Sequence, residues 1–243
     1  MPNEVHYLVA VDRRAEKFVR PRSAIRPHAK RLFDICAALT LIVIVLPVAF
    51  LVIAASLGSA QVPFCSNVRV GRDGQAFGCL KFRTTRRDAD STLLRILLRE
   101  PPARPEKTIH RDLRDDPRVT RLGRFLVETN MNELPQLLNV LAGHMSFVGP
   151  QPLTRAELGE FYNATETAAY CSVRPGLTGL WQLGGCSDHG YRKRAALDIL
   201  YVERLSLRND LRILWRSIAA VVRQEAAGAP VISTNASGER HTR

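Results

Sequence analysis

Cysteine is scarce in this chain and poorly placed for chemistry. The five present, Cys36, Cys65, Cys79, Cys171 and Cys186, are odd in number and lack both C-x-x-C and metal-ligand spacing. That pattern excludes a disulfide framework and fits a reducing compartment. The six histidines, His144 and His189 among them, have no ligand spacing either, and no chemistry is assigned to them. Acidic residues are also short, 23 against 35 lysines and arginines, which leaves a formal net charge of +12. Such a charge suits nucleic acid, an anionic membrane or phosphorylated substrates, and by itself does not choose among them. No helix-turn-helix, zinc or RNA-binding signature accompanies it, so nucleic acid is set aside as a partner. A secretory leader is not expected, because the apolar run starts late and no small-residue cleavage site follows it. The 243 residues are 46% hydrophobic, which excludes wholesale disorder and provides for one domain with appendages.

What is present begins with a stretch from which charge is missing. From Ile35 to Leu57 there are 23 positions without a charged residue, about 35 Å of helix and enough to cross a bilayer. Basic residues crowd both flanks, Lys30 and Arg31 before the run and Arg69, Arg72, Lys81, Arg83, Arg86 and Arg87 after it, so both flanks read as cytoplasmic. Pro47 near the middle removes a helix hydrogen bond and favours a bend. A re-entrant helix-break-helix reconciles these facts, with a spanning helix and a buried core helix as alternatives. Residues 1–29, rich in arginine and broken by Pro21 and Pro27, read as a flexible basic arm.

The densest signal is Asp116–Pro152. Val119, Leu122, Phe125 and Leu126 follow helical spacing, with Arg118, Arg121 and Arg124 on another face. A break at Thr129–Asn132 precedes a second helix. Asn130 or Asn132 is the expected cap, Glu133 and Pro135 fall in the first turn, and Gly143 is the expected C-cap. Gly149-Pro150-Gln151-Pro152 then forces an extended loop. Upstream, the alternation around Asp73-Gly74 predicts a small hairpin with a two-residue turn. Lys81 and Arg83 leave it on one face of an extended segment, either to meet a diphosphate or as a solvated strand edge. Residues 88–112 read as an interfacial helix followed by a proline-rich loop. The run Leu211–Val222 reads either as a second membrane-surface helix or as an ordinary core-facing one. Residues 226–243 read as a loose tail, and the helix Ala195–Leu205 carries Asp198. Two sequons, at Asn163 and Asn235, carry no weight in a cytoplasmic chain.

These segments in order resemble the bacterial sugar transferases, the polyprenyl-phosphate hexose-1-phosphate transferases. The resemblance is carried by Lys30-Arg31-Leu32-Phe33-Asp34, Arg69–Gly74, Lys81-Phe82-Arg83-Thr84, the Asp116–Pro152 stretch and Arg174–Gln182, and it covers roughly residues 30–225. It implies a monotopic membrane protein of mainly helical α+β class, with a re-entrant helix hairpin at 35–57 and a small β-hairpin. It also implies transfer of a hexose-1-phosphate from a UDP-sugar to polyprenyl phosphate at the cytoplasmic face of the bacterial inner membrane, initiating exopolysaccharide or related glycan assembly. Homo-oligomerisation stays open. In the family an Asp-Glu dyad supplies the nucleophile and helps place Mg²⁺. Here the dyad reads Asn132-Glu133, so the expected catalytic pair is Asn132 and Glu133, with Glu133 as the metal-facing residue. Lys81, Arg83, Gln151 and Asp198 are the expected substrate-binding residues. The chain departs from the family at Asn132, at Gln151 where the family has Arg, and at Cys186 where it has Arg. A neutral amide cannot replace a carboxylate nucleophile. A transferase-like chain that binds substrate without turnover is therefore the alternative function.

Overall fold

The computed structural model describes residues 27–59, 62–86, 118–183 and 191–226. The expected interfacial helix at 88–112, Cys186, His189, residues 1–26 of the arm and the tail from 227 lie outside the described residues.

The first helix, α1, runs Pro27–Gly58 and starts three residues inside the expected arm, because Pro27 suits a first helical turn where its missing N–H is not needed. Helix continues through Pro47, so the expected break is not an interruption of helix. This helix is long and apolar enough to cross a membrane. Its two sides differ sharply. Val43, Ile44, Leu46, Phe50 and Leu51 are exposed, whereas Asp34, Ala38, Val52 and Ser56 are buried, with Ile42, Val45, Ala49 and Ile53 partly buried between them. The buried set recurs every three or four residues, one stripe along one face. α1 is thus neither a core helix nor a helix free of protein on all sides.

An antiparallel hairpin follows, β1 Phe64–Val70 and β2 Ala76–Phe82, paired from Phe64↔Phe82 to Val70↔Ala76. Its tip is one residue longer than the expected two-residue turn. Gly71 N–H donates to the Gln75 carbonyl at 2.7 Å, leaving Arg72, Asp73 and Gly74 as the loop. Asp73 and Gly74 both take positive φ, 57° and 71°, as an Asp-Gly tip permits.

α2, Arg121–Glu128, is capped by Thr120, whose hydroxyl accepts from Gly123 N–H at 2.9 Å. A single 3₁₀ turn, Met131–Glu133, separates it from α3, Gln136–Ala142. Neither Asn130 nor Asn132 caps α3: Asn130 sits in the left-handed region with no side-chain cap bond, Asn132 lies inside the 3₁₀ turn, and Pro135 occupies the N-cap. Asn130 is left-handed and Thr129, Leu134 and Pro135 are right-handed helical around the 3₁₀ turn, so neither asparagine has the extended backbone from which it could cap α3. Gly143 is the C-cap, with φ 87°. β3 Ser146–Val148 then pairs in parallel with β4 Gly176–Thr178. Between them lie α4 Arg155–Phe161 and α5 Ala164–Cys171, each opened by a capping box at Thr154/Glu157 and Asn163/Glu166. α6 Leu180–Leu183, α7 Tyr191–Glu203 and α8 Leu207–Ala226 complete the described chain. The architecture is mainly helical α+β, as expected.

The main core gathers Ala38 of α1, Phe77 and Cys79 of β2, Leu137 and Val140 of α3, Phe147 and Val148 of β3, Tyr201 and Val202 of α7 and Ile213 of α8. A second cluster holds Val70, Leu153, Leu158, Tyr162 and Tyr170, and a third joins Val52 to Phe82 and Leu126. The 149–152 and 174–179 loops cross at backbone distance. Gly149 N–H donates to the Thr178 carbonyl at 3.0 Å and Gly176 N–H to the Pro150 carbonyl at 2.8 Å. A Cβ on Gly176 would lie 2.1 Å from the Gly149 nitrogen and 2.6 Å from the Thr178 oxygen, so only glycine fits. Gly176→Ala is expected to lower stability by about 2–4 kcal/mol by forcing these backbones apart. Thermal unfolding checks it, with Gly159→Ala, at a position with open space around its Cβ, as the control of small effect.

Candidate active site at the hairpin and the 3₁₀ turn

The site forms where β2 runs past the 129–135 turn. Lys81 Nζ donates to Glu133 Oε1 at 2.8 Å, with both side chains mostly buried. Arg83 lies two residues beyond Lys81 on the continuing strand, a spacing that sends side chains to the same face. Burial pushes the Cys65 thiol up, and the positive charges of Arg83 and then Lys81 pull it back, which places both cations near that residue. Burial likewise raises Cys79, while Lys81 lowers and Glu133 raises it. Lys81, Arg83 and Glu133 therefore share one neighbourhood. Asn132 precedes Glu133 in the 3₁₀ turn and is 7% exposed. Arg83 Nε is buried without a hydrogen-bond partner among the described residues.

An asparagine not anticipated from sequence holds the two halves together. Asn139 of α3 accepts from Leu80 N–H at 2.9 Å and donates to the Gly78 carbonyl at 2.7 Å, so its side-chain amide acts as one more strand peptide against β2. The available signal is an amide set among Leu137, Leu138, Val140 and Leu141 of a short apolar helix. Beneath the site lies the third cluster, in which Phe82, Leu126, Leu122, Met131 and Leu134 meet Ala49, Val52 and Ile53 of α1. A cationic site thus stands directly on the second half of the apolar helix.

The other expected site residues fall elsewhere. Gln151 lies in the loop between β3 and α4, its Oε1 buried without a hydrogen-bond partner among the described residues. Asp198 of α7 is 3% exposed and accepts from the Tyr162 hydroxyl at 2.8 Å, in the second cluster rather than on the Lys81–Glu133 pair. Among the described residues no group of three or more His, Cys, Asp or Glu side chains is placed to hold a metal ion.

In the sequence Lys30 and Arg31 read as membrane-flanking charges, and the structure gives the Lys30–Asp34 segment a further task. Lys30 Nζ donates to Asp210 Oδ2, to the Val148 carbonyl and to the Tyr201 hydroxyl. Arg31 donates to the Val140 and Leu141 carbonyls at 2.6 and 2.7 Å, closing the C-terminus of α3, where Arg174 Nε also donates to the Gly143 carbonyl at 2.7 Å. Cations at a helix C-terminus are favourable there. Asp34 accepts from the Ser146 hydroxyl at 3.0 Å and Phe147 N–H at 3.1 Å.

Burial raises the Asp198 carboxyl to about 7, against smaller downward pulls from the Tyr162 hydrogen bond and Arg194. A carboxyl raised on folding binds its proton more tightly in the folded state. Its contribution is fully present below the unfolded value near 3.8 and is lost as pH rises to about 7. Asp210, also raised by burial, acts in the same direction. Asp198→Asn is therefore expected to flatten the fall in melting temperature between pH 4 and pH 7, most visibly near neutrality. Melting curves of the two proteins across that range check it.

With this geometry in view, comparison with known proteins is specific. The family described as bacterial sugar transferase matches residues 25–224. A UDP-galactose-lipid carrier transferase of Erwinia amylovora is 40% identical over 198 residues, 82% of this chain and 41% of that protein. The exopolysaccharide production protein ExoY of Sinorhizobium fredii is 41% identical over 202 residues, 82% of this chain and 88% of that protein. An undecaprenyl-phosphate galactose phosphotransferase of Salmonella typhimurium is 36% identical over 198 residues, again 82% of this chain and 41% of that protein. The chain therefore spans about two fifths of the Erwinia and Salmonella proteins and most of ExoY. A match across 200 of 243 residues, with a relative covered nearly end to end, makes this chain a member of the bacterial sugar transferase family.

Proposed function

We propose that this chain transfers a hexose-1-phosphate from a UDP-sugar to a membrane polyprenyl phosphate, releasing UMP, as the first step of exopolysaccharide or related glycan assembly. The observation that carries the reading is the seat of the Lys81–Glu133 site on the apolar cluster shared with α1. A water-soluble nucleotide sugar and a lipid phosphate must meet where a charged surface borders an apolar one. The relatives' names supply the substrate class, since one is a UDP-galactose-lipid carrier transferase and another an undecaprenyl-phosphate galactose phosphotransferase.

In the transfer, an oxygen of the polyprenyl phosphate bonds to the phosphorus that carries the sugar. The bond from that phosphorus to the bridging oxygen breaks, and UMP leaves with the electron pair. Lys81 and Arg83 stand where charge builds on the leaving group, and preorganised cations in a partly dry site lower that barrier. Glu133 holds Lys81 in place. Asn132 has no anionic oxygen to form a covalent phosphosugar, so the residues present fit a single displacement. Asn132 also favours a second reading, a chain that binds nucleotide sugar and membrane without turnover. UMP release by the purified full-length chain, with UDP-glucose or UDP-galactose and undecaprenyl phosphate, separates the two. Turnover by the unaltered chain that falls at least about 100-fold in Glu133→Ala supports the transferase. Silence in the unaltered chain, with activity appearing in Asn132→Asp, supports the second reading.

The same reading places the site at the cytoplasmic face with α1 re-entrant. α1 is buried against the protein at Asp34 and Ala38 and again at Val52 and Ser56, with Ile42, Val45 and Ala49 half-buried between them. A spanning helix would instead carry one end about 30 Å away through hydrocarbon. Cysteines introduced by Ile25→Cys and Gln75→Cys are expected to react with an impermeant thiol reagent from the cytoplasmic side alone. Labelling from opposite sides would make α1 a spanning helix.

A further inference from the structure

Taking the transferase reading as its basis, we infer that this site receives the diphosphate of its nucleotide substrate directly on Lys81 and Arg83, with no divalent cation between them. The residues at the turn do not fit Mg²⁺. That ion is a hard cation that takes anionic oxygens, usually from one or two carboxylates together with substrate phosphates. Here the turn offers one carboxylate, Glu133, beside the neutral amide of Asn132. The carboxylate already has an ammonium at 2.8 Å. A metal ion seated on Glu133 would have either to displace Lys81 or to stand against it, two cations at one oxygen with no second carboxylate grouped there among the described residues to offset them.

The same neighbourhood suits an anion. Two cations stand against one carboxylate. Lys81 has two further N–H donors besides the one given to Glu133, and Arg83 keeps a buried Nε–H unpaired among the described residues. An unpaired guanidinium donor in a partly buried site is costly until an acceptor arrives, and a phosphate oxygen is the acceptor its geometry suits best. Asn132 thereby acquires a physical consequence beyond the loss of a nucleophile. Removing one negative charge from the turn converts a place for a cation into a place for an anion, and residue 132 sets whether the site responds to metal.

Calorimetry on the full-length chain in detergent, with UDP, UDP-glucose and UDP-galactose as probes, tests this in EDTA and in MgCl₂. The expected result is the same affinity in both buffers. Lys81→Gln and Arg83→Gln, each checked for an unchanged melting temperature, are expected to weaken binding in EDTA by about tenfold or more, the scale of a charge-assisted contact. Asn132→Asp is expected to bring in a dependence absent from the unaltered chain, with Mg²⁺ tightening binding. Binding lost in EDTA and restored by Mg²⁺ in the unaltered chain would overturn the metal-free site while leaving the transferase reading in place. An Asn132→Asp protein indifferent to Mg²⁺ would overturn the role given to residue 132. A folded chain that binds none of the probes in either buffer would overturn the transferase reading together with this one.

Discussion

Three charged side chains in the first two turns of an apolar helix tie it to β3, α3, α7 and α8. Lys30, Arg31 and Asp34 serve backbone groups rather than surface partners. Lys30 reaches the carbonyl that ends β3, Arg31 the last carbonyls of α3, and Asp34 the hydroxyl and N–H that begin β3. A buried charge is costly unless hydrogen-bonded; Lys30, Arg31 and Asp34 Oδ1 meet groups that would themselves be costly unpaired, while Asp34 Oδ2 is buried without a partner among the described residues. The contact is thus mutual, and neither the helix nor the sheet can shift without exposing the other's unpaired groups. Asp210 and Tyr201 extend the network to α8 and α7.

From that anchor the site follows by short steps. α1 fixes α3 through Arg31, α3 fixes β2 through Asn139, and β2 presents Lys81 to Glu133. Each link is a hydrogen bond to backbone or a charge pair, so the relative position of cation and carboxylate is set by directional contacts rather than by apolar packing alone. The family's 149–152 and 174–179 motifs do a different task. Their glycines let two loops cross at backbone distance, which builds the parallel pair β3–β4 on which α1 and α8 rest.

What was readable in the sequence was local or was carried by the family motifs. The hairpin around Asp73-Gly74, the Gly143 cap, the apolar run and the closeness of Lys81 to the Asn132-Glu133 turn all follow from short-range chemistry or from motif order. What stayed hidden depends on distant pairing. Asp198, a substrate-binding candidate from sequence, also accepts from the Tyr162 hydroxyl, a partner 36 residues earlier that a sequence does not reveal. Asn130 and Asn132 looked like caps because the residue type fits, but capping needs an extended backbone and Asn130 is left-handed. The Lys30–Asp34 cluster reads as a membrane-flanking charge group until residues more than a hundred positions away are brought to it.

That separation along the chain bears on how the protein is made. Asp34 waits for Ser146, 112 residues later, and Lys30 for Asp210, 180 residues later. At bacterial and eukaryotic synthesis rates of roughly 5–20 residues per second, the second interval is on the order of ten seconds or more. Throughout that time α1 is without the β3 and α8 groups to which Asp34 and Lys30 later bond. The order of translation therefore leaves the anchoring of α1 to the end, since the last group that fixes its first turns is made only with α8.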